Sequence, residues 1–397
     1  MSHLMNNYNR LPVTFTHGIG AWLWDTNGNQ YLDALSGVAV NGLGHAHPAM
    51  IEAISAQVAK LIHVSNYYHI AEQEALADEL AAISGMDKVF FCNSGCEANE
   101  ASIKLARLYG HNKGVQNPEI IVMERAFHGR TMATLSATGN RKTQAGFEPL
   151  VSGFVRVPYD DLEAIKNIAS RKNNVVAILV EPVQGEGGVY IPADMAAYFK
   201  GLRQICDDNG WLLMLDEVQS GIARTGTWFA FQHTGITPDV MSLAKGLGSG
   251  VPIGACVAKG IAADTFVYGK HGSTFGGNPL AAVAGLTTLR VIIDEKLREN
   301  AQLMGDLIRE GIKAEFIENK SIVAVRNAGL MIGIELDRPC GELVKMALDA
   351  KLLINVTADK VIRLLPPLII NKAESLELVA RLSVLIKQFL SIENHQK

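Results

Sequence analysis

The chain has 397 residues, of which 48% are hydrophobic and 19% are charged, and it carries a formal net charge of −4. This composition excludes a disordered chain, and the length allows one large domain and a smaller one. A slightly negative chain with scattered basic residues gives no reason to expect nucleic acid or an anionic membrane surface as a partner.

The cysteines and the N-terminus predict a cytoplasmic protein. The five cysteines form no Cys-x-x-Cys pair, which predicts free thiols in a reducing compartment and no metal site. The first ten residues lack a basic stretch followed by an apolar core, so no signal peptide is predicted. The longest apolar runs, such as residues 175–180, are too short to cross a bilayer.

A hairpin and two helices are predicted at the start of the chain. Apolar residues at 21–24 and 30–33 flank a turn-rich segment, which is the pattern of a hairpin. A helix is predicted at 48–61, because Pro48 suits the first helical position, and a second helix at 70–83.

Alternating strands and helices follow. The predicted strands are residues 88–92, 119–123, 175–180, 211–215, 240–244 and 253–258. The predicted helices are residues 96–109 and 195–208, and a long loop is expected after the second strand. Short strands rich in Val, Ile and Leu that alternate with amphipathic helices are typical of an α/β fold with a mostly parallel sheet, covered on both faces.

The last third of the chain has the pattern of an α+β unit. Its predicted elements are a long helix at 280–316, paired strands at 322–325 and 331–335, a helix at 341–350, short strands near Leu353 and Ile362, and a helix at 373–390. We therefore predict a large domain of residues 46–285 and a small domain of residues 1–45 and 286–397.

Two predicted strand ends carry residues that suggest chemistry. Asp216 follows the strand at 211–215, and Lys245 follows the strand at 240–244. In a parallel sheet, ligands bind beyond the carboxyl ends of the strands, so both side chains should face one crevice. A lysine and a carboxylate there suit pyridoxal phosphate, which proteins hold through a lysine. For these two residues alone, a loop cap and a surface lysine are an equally good interpretation.

Further polar motifs lie at similar positions. Ser94 and Gly95 stand between a strand and a helix, where free N–H groups bind phosphate, although an ordinary helix cap explains them as well. Glu186 lies in a glycine-rich loop, and Arg363 is an isolated cation on an apolar strand that needs an acidic partner. The glycines after Lys245 have the wrong spacing for a dinucleotide fingerprint, which argues against a dehydrogenase.

Five motifs make the chain resemble class III pyridoxal-phosphate-dependent aminotransferases over nearly its whole length. They are NSGCEANE at 93–100, FHGR at 127–130, EPVQGEGG at 181–188, DEVQSG at 216–221 and AKGL at 244–247. The resemblance implies an α/β fold of type I, like aspartate aminotransferase, with a mostly parallel seven-stranded sheet in the large domain. It also implies a homodimer with shared active sites.

The resemblance implies roles for residues around the cofactor ring. Lys245 would bind pyridoxal phosphate covalently and shuttle the proton during transfer. Asp216 would keep the ring nitrogen protonated, and Gln219 would hydrogen-bond to the ring oxygen. Phe127 and Val218 would cover the two faces of the ring.

The resemblance also implies a phosphate site and a contribution from a second subunit. The backbone N–H groups of Gly95 and Cys96 would bind the phosphate, and Thr274 of the neighbouring subunit would reach it. Ser273 of that subunit would lie near the acyl group of the substrate. Cysteine departs from the alanine, threonine or serine more common at position 96, but the site needs only the backbone there.

Substrate binding is implied for five further residues. Arg130 would take the carboxylate of the ω-amino substrate and the distal carboxylate of 2-oxoglutarate. Arg363 would take the α-carboxylate of glutamate, and Glu186 would neutralise Arg363 while the other substrate is bound. Asn66 and Tyr67 would line the substrate pocket.

The implied reaction moves the δ-amino group of N2-acetylornithine to 2-oxoglutarate in two half-reactions, as part of arginine biosynthesis. The products would be N-acetylglutamate 5-semialdehyde and glutamate. Transamination of succinylornithine, succinyldiaminopimelate, ornithine or 4-aminobutyrate stays open, as does a cofactor-binding protein without catalysis.

Overall fold

The structure, a computed structural model, describes residues 3–394 and, for residues 392–394, the backbone only. Within this range the chain forms fifteen β-strands. They are β1 (Phe15–Ile19), β2 (Trp22–Asp25), β3 (Gln30–Asp33), β4 (Lys88–Cys92), β5 (Glu119–Met123), β6 (Phe154–Val157), β7 (Val175–Val180), β8 (Leu212–Asp216), β9 (Val240–Leu243), β10 (Gly254–Ala258), β11 (Ile322–Ala328), β12 (Met331–Leu336), β13 (Leu352–Leu353), β14 (Asn355–Thr357) and β15 (Val361–Leu364).

The same residues form twelve α-helices. They are α1 (Ser36–Ala39), α2 (Pro48–Val58), α3 (Ala71–Ser84), α4 (Gly95–Asn112), α5 (Met132–Ala137), α6 (Arg141–Gln144), α7 (Leu162–Ala169), α8 (Met195–Asn209), α9 (Pro279–Asp294), α10 (Leu297–Glu315), α11 (Leu343–Asp349) and α12 (Lys372–Asn394). None of the helices in the described part of the chain is both long and apolar enough to cross a membrane.

A seven-stranded sheet with the order β4-β10-β9-β8-β7-β5-β6 forms the centre of the fold. Four of its pairings are parallel, and β10 alone runs antiparallel to its neighbours β4 and β9. Alternate residues enter two separate hydrophobic clusters: Leu213 and Leu215 belong to one, Leu212 and Met214 to the other. The predicted α/β fold, with a mostly parallel sheet buried on both faces, is confirmed.

The strand order brings the chemical motifs to one edge of this sheet. β7, β8 and β9 are parallel neighbours, so their carboxyl ends lie side by side. Glu181 directly follows β7, Asp216 is the last residue of β8, and Lys245 stands two residues after β9. β4 pairs antiparallel with β10 and so runs parallel to β9, which places the start of α4 at Gly95 at the same edge.

The described residues form two smaller sheets, the first of which combines the two ends of the chain. The first has the order β1-β2-β3-β13, in which Leu352 pairs in parallel with Leu32. The second has the order β11-β12-β15-β14 and is antiparallel throughout. The N-terminal hairpin therefore joins a strand from the C-terminal part, while the predicted boundaries of the two domains stay a prediction.

Two predicted elements are wrong. The single helix expected at 280–316 is the pair α9 and α10, because Lys296 adopts a left-handed conformation with φ +54° between them. No glycine or proline marks this break in the sequence. The long loop expected after β5 contains α5, α6, β6 and α7. β6 escapes prediction because it is an edge strand of four residues that is only partly buried.

Candidate active site

A cavity of about 350 Å³ lies at the edge where the strand ends converge. This volume is within the range of small-molecule sites. Residues predicted from the sequence line it: Gly95, Cys96, Phe127, Glu186, Asp216, Val218, Gln219 and Lys245. The cavity therefore combines a helix start, carboxylates and a lysine in one place.

Two neighbouring side chains fix the carboxylate of Asp216, which is 5% exposed. Asp216 Oδ2 accepts hydrogen bonds from Asn99 Nδ2 at 2.7 Å and from His128 Nδ1 at 2.8 Å. Asp216 Oδ1 accepts one from the backbone N–H of Val218 at 3.0 Å. Asn99 and His128 line the cavity but are not predicted as site residues. The signal for Asn99 is a polar residue on the buried face of a helix, which must find a partner.

Lys245 contributes an amine to the lining of the cavity. Lys245 adopts a left-handed backbone conformation with φ +46°, which is uncommon for a residue with a side chain. Within residues 3–391 its amine makes no hydrogen bond or ion pair. Burial and the positive charge of Arg363 lower the pKa of Lys245 below 10.5, although the charges of Asp216 and Glu186 act against this shift. A lysine amine that loses its proton more easily is a better nucleophile.

The start of α4 is a capped helix that still has backbone N–H groups available to an anion. Ser94 Oγ accepts a hydrogen bond from the N–H of Glu97 at 3.2 Å, as the capping interpretation predicts. Helix geometry leaves the N–H groups of Gly95 and Cys96 without an intrahelical acceptor. A Cβ at Gly95 would lie 2.7 Å from Val218 Cγ1, so glycine is required where this helix approaches Val218.

Arg363 is 1% exposed and finds the acidic partner that its position demands. Arg363 Nη1 lies 2.8 Å from Glu186 Oε1 and donates to Gln219 Oε1 at 3.3 Å. Arg363 Nε donates to Asn355 Oδ1 at 3.2 Å. The buried guanidinium is thus neutralised by a carboxylate that is itself 41% exposed.

Arg130 lies at the side of the cavity rather than in its lining. Its guanidinium carbon is 5.6 Å from the ring centroid of Phe127, and the side chain is exposed. Its backbone N–H donates to Cys96 Sγ at 3.3 Å. The position leaves the guanidinium free to meet a ligand that extends out of the cavity.

Six predicted residues are not part of the lining of this chain's own cavity: Arg130 and Arg363, described above, and Asn66, Tyr67, Ser273 and Thr274. Asn66 Nδ2 donates to the carbonyl of Ser273 at 2.9 Å and so holds the loop that carries Ser273 and Thr274. Ser273 Oγ accepts a hydrogen bond from Asn93 Nδ2 at 3.3 Å. Thr274 is exposed and Tyr67 is 94% exposed. Of the two residues that the resemblance assigns to a second subunit, Thr274 is thus exposed and Ser273 is half-buried.

Glu181 lines the cavity and connects two of its loops. Its carboxylate accepts hydrogen bonds from the N–H groups of Phe127 at 2.9 Å and Gly185 at 3.3 Å. Burial raises the pKa of Glu181 to about 7, and the neighbouring Asp216 adds to the shift. Glu181 thus ties the Phe127 loop to the loop that carries Glu186.

Replacing Asn99 by leucine should destabilise the protein, because the buried carboxylate of Asp216 loses a donor. The expected loss is about 1–3 kcal/mol in the free energy of unfolding, measured by urea denaturation without added ligand. Ser102→Ala, on the same buried helix face, is the matched control and should lose less, since its partner Ser242 is neutral. Equal losses in the two variants would contradict the assignment.

Comparisons with known proteins identify the family of the chain. The chain matches the family model described as aminotransferase class-III over residues 4–386. It is 62% identical to the acetylornithine aminotransferase of Nitrosomonas europaea over 390 residues, which cover 98% of this chain and 99% of that protein.

Solved structures also match nearly the whole chain. An ornithine aminotransferase from Toxoplasma gondii ME49 has a TM-score of 0.93 at 33% identity and covers 99% of this chain and 94% of its own. An acetylornithine aminotransferase from Elizabethkingia anophelis has a TM-score of 0.86 at 36% identity, over 97% of this chain and 96% of its own. The fold is accordingly that of type I enzymes. The chain belongs to the class III aminotransferases and is a pyridoxal-phosphate-dependent transaminase.

Proposed function

We propose that this transaminase moves the δ-amino group of N2-acetylornithine to 2-oxoglutarate in arginine biosynthesis, giving N-acetylglutamate 5-semialdehyde and glutamate. The observation that carries the proposal is the ion pair of Arg363 and Glu186 beside Lys245. The reacting carbon of glutamate bears a carboxylate, whereas the reacting carbon of N2-acetylornithine bears none. The buried cation of Arg363 suits the carboxylate of glutamate, and its pairing with Glu186 suits the uncharged carbon of N2-acetylornithine. The names of the Nitrosomonas europaea and Elizabethkingia anophelis proteins support the acetylated donor.

The described residues fit pyridoxal phosphate. When bound, this cofactor supplies an electron-withdrawing ring that stabilises negative charge at the carbon losing its proton. The start of α4 at Gly95 and Cys96 offers backbone N–H groups to the phosphate. The oriented carboxylate of Asp216 suits a protonated ring nitrogen. The amine of Lys245 holds the cofactor and afterwards carries the proton to and from the substrate carbon.

The remaining cofactor contacts come from the cavity walls and from a second copy of the chain. Phe127 and Val218 line the cavity and would cover the two ring faces. Gln219 would donate from its amide nitrogen to the ring oxygen, since its Oε1 already accepts from Arg363. Thr274 would reach the phosphate from the second copy.

Substrate carboxylates would meet two arginines. Arg130, at the side of the cavity, would bind the α-carboxylate of N2-acetylornithine and the distal carboxylate of 2-oxoglutarate. Arg363 would bind the α-carboxylate of glutamate after Glu186 has moved away. Asn66 and Tyr67 would line the outer pocket.

The loop that carries Ser273 and Thr274 supports the proposal of a homodimer with shared active sites. These residues lie outside their own cavity, and the neighbouring Phe275 is 59% exposed. Ile62 is 51% exposed, and its carbonyl accepts a hydrogen bond from the N–H of Leu280, just beyond this loop. Exposed apolar side chains on both sides of this loop support an interface here. Free thiols at all five cysteines support a cytoplasmic location.

Titration with amino donors tests the proposed reaction. N2-acetylornithine should change the visible absorption of the bound cofactor faster than succinylornithine, succinyldiaminopimelate, ornithine or 4-aminobutyrate, and 2-oxoglutarate should restore it. Lys245→Ala should lose transamination by about 10²-fold or more. A faster donor among the alternatives would replace the proposed substrate. Full turnover by Lys245→Ala would contradict the mechanism, and no reaction with any donor would favour a cofactor-binding protein without catalysis.

Removing the carboxylate of Glu186 should change kcat/KM by different factors in the two half-reactions. In Glu186→Ala, Arg363 keeps its charge without a partner, so kcat/KM for N2-acetylornithine should fall about tenfold relative to that for glutamate. Stopped-flow absorption gives both values. Glu377→Ala is the matched control, because Glu377 is 40% exposed and pairs with Arg381 on α12. An unchanged ratio in Glu186→Ala would contradict the role of this residue.

The pH dependence of cofactor capture should report the amine of Lys245. Binding of pyridoxal phosphate to the cofactor-free protein should quicken with pH with a midpoint below pH 10.5, because the neutral amine reacts and its pKa is lowered. Arg363→Gln should move the midpoint to higher pH, since one cause of the lowered pKa is removed. Arg309→Gln, an arginine on α10, should leave the midpoint in place. An unmoved midpoint in Arg363→Gln would show that its charge does not act on Lys245.

A further inference from the structure

We propose that Arg326 and Thr357 are positioning residues that hold the loop of residues 185–189 still, so that Glu186 leaves and rejoins Arg363 by rotation of its side chain alone. The inference rests on the proposed function of Glu186 as a movable counter-charge. It adds that Arg326 and Thr357, which belong to the sheet β11-β12-β15-β14, fix the backbone of this loop by hydrogen bonds. These contacts, which we call the clamp, set the balance between the two half-reactions.

Four residues from four strands form one row across that sheet. Arg326 is opposite Gly333, Gly333 is opposite Arg363, and Arg363 is opposite Asn355. Directly opposite residues point to the same face of a sheet. Arg326 and Arg363 therefore stand on the same face with a glycine between them.

The glycine lets the Glu186 loop lie directly against the sheet. A Cβ at Gly333 would lie 2.9 Å from Val189 Cβ and 3.3 Å from the carbonyl oxygen of Gly188. No larger residue fits there without moving the loop. The loop thus lies between the two arginines.

Arg326 binds the backbone of this loop. Its Nε donates to the carbonyl of Val189 at 2.8 Å, and its Nη2 donates to the carbonyl of Gly188 at 2.6 Å. Its Nη1 pairs with Glu335 Oε2 at 2.8 Å, and Lys360 holds the other oxygen of Glu335 at 2.7 Å. Hydrogen bonds from a charged donor are stronger than neutral ones. Glu335 therefore fixes the guanidinium at Nη1, while Nε and Nη2 bind the carbonyls of Val189 and Gly188.

Thr357 completes the clamp next to Glu186. The hydroxyl of Thr357, which is 6% exposed, donates to the carbonyl of Glu186. The loop is closed at its base by two hydrogen bonds of 3.0 Å between the backbones of Gln184 and Tyr190. Within residues 3–391 the Glu186 side chain makes a single ion pair, with Arg363. The backbone is fixed at several points, and the side chain is free to rotate once that pair opens.

A fixed backbone favours the neutralised state of Arg363. The carboxylate of Glu186 returns to its partner with little loss of conformational freedom, because the loop is already in place. A loosened loop weakens the pair, which leaves Arg363 more available to the α-carboxylate of glutamate. The acetylated donor, which needs Arg363 neutralised, then reacts less well.

Two variants test the clamp by different routes. Arg326→Gln removes the grip on Gly188 and Val189, and Thr357→Val removes the donor to the Glu186 carbonyl with little change of shape. In each, kcat/KM for N2-acetylornithine divided by that for glutamate should fall about threefold, less than in Glu186→Ala. Variants are compared at equal content of bound cofactor, and Thr357→Val carries the test if Arg326→Gln does not fold.

Arg309→Gln is the matched control, because Arg309 bonds to Asn327, next to Arg326 in sequence, and to acidic residues of α10 but not to the loop. Its ratio should not change. In the double variant of Glu186→Ala and Arg326→Gln, the ratio should equal that of Glu186→Ala alone, since Arg326 acts through Glu186.

The outcomes separate the inference from the proposed function. If Glu186→Ala shifts the ratio while both clamp variants leave it unchanged, or if the effects in the double variant add, the positioning inference is overturned and the proposed function stands. If Glu186→Ala itself leaves the ratio unchanged, the inference falls together with the proposed role of Glu186, while the titration with amino donors still decides the proposed reaction.

Discussion

The ion pair between Arg363 and Glu186 is the interaction on which the polarity of the cavity depends. Arg363 is almost fully buried, and a buried guanidinium without a partner carries a large free-energy penalty. The carboxylate at 2.8 Å and the amide oxygens of Gln219 and Asn355 offset that penalty. Because Glu186 is partly exposed, it can move into water at little cost. Only Arg363 then needs a replacement partner, and the α-carboxylate of an amino acid has the right charge and shape.

The same cation acts on the nucleophile of the cavity. Burial and the charge of Arg363 lower the pKa of Lys245, whereas Asp216 and Glu186 oppose that shift. Movement of Glu186 away from the cavity would therefore lower the pKa of Lys245 further. Substrate recognition and the protonation of the lysine are thus linked through one charge. The backbone clamp on the Glu186 loop matters because it restricts this movement to a side chain.

The centre of the fold and of the site can be predicted from the sequence because it depends on local patterns. The strands at 88–92, 119–123 and 175–180 have the predicted bounds, since each is an apolar run bounded by polar residues. Asp216 and Lys245 follow from strand ends, because neighbouring parallel strands must end at the same edge. The left-handed turn at Lys296 and the edge strand β6 carry no such signal, so they escape prediction.

Residues that act through other residues cannot be predicted in this way. Asn99 reaches Asp216 from α4, which packs against β8 and β9, whereas His128 reaches it from the loop between β5 and α5. Both pairings therefore depend on how distant parts of the chain come together. Arg326 and Thr357 look like ordinary polar residues of short strands. Their role becomes visible only in the register of the C-terminal sheet, which aligns Arg326 with Arg363.

A crystal structure with glutamate bound tests the central claim most directly. We expect the α-carboxylate of glutamate on Arg363, the carboxylate of Glu186 rotated into solvent, and the carbonyls of Gly188 and Val189 still bound to Arg326. A glutamate carboxylate bound elsewhere, with the 2.8 Å ion pair of Arg363 and Glu186 intact, would contradict the account.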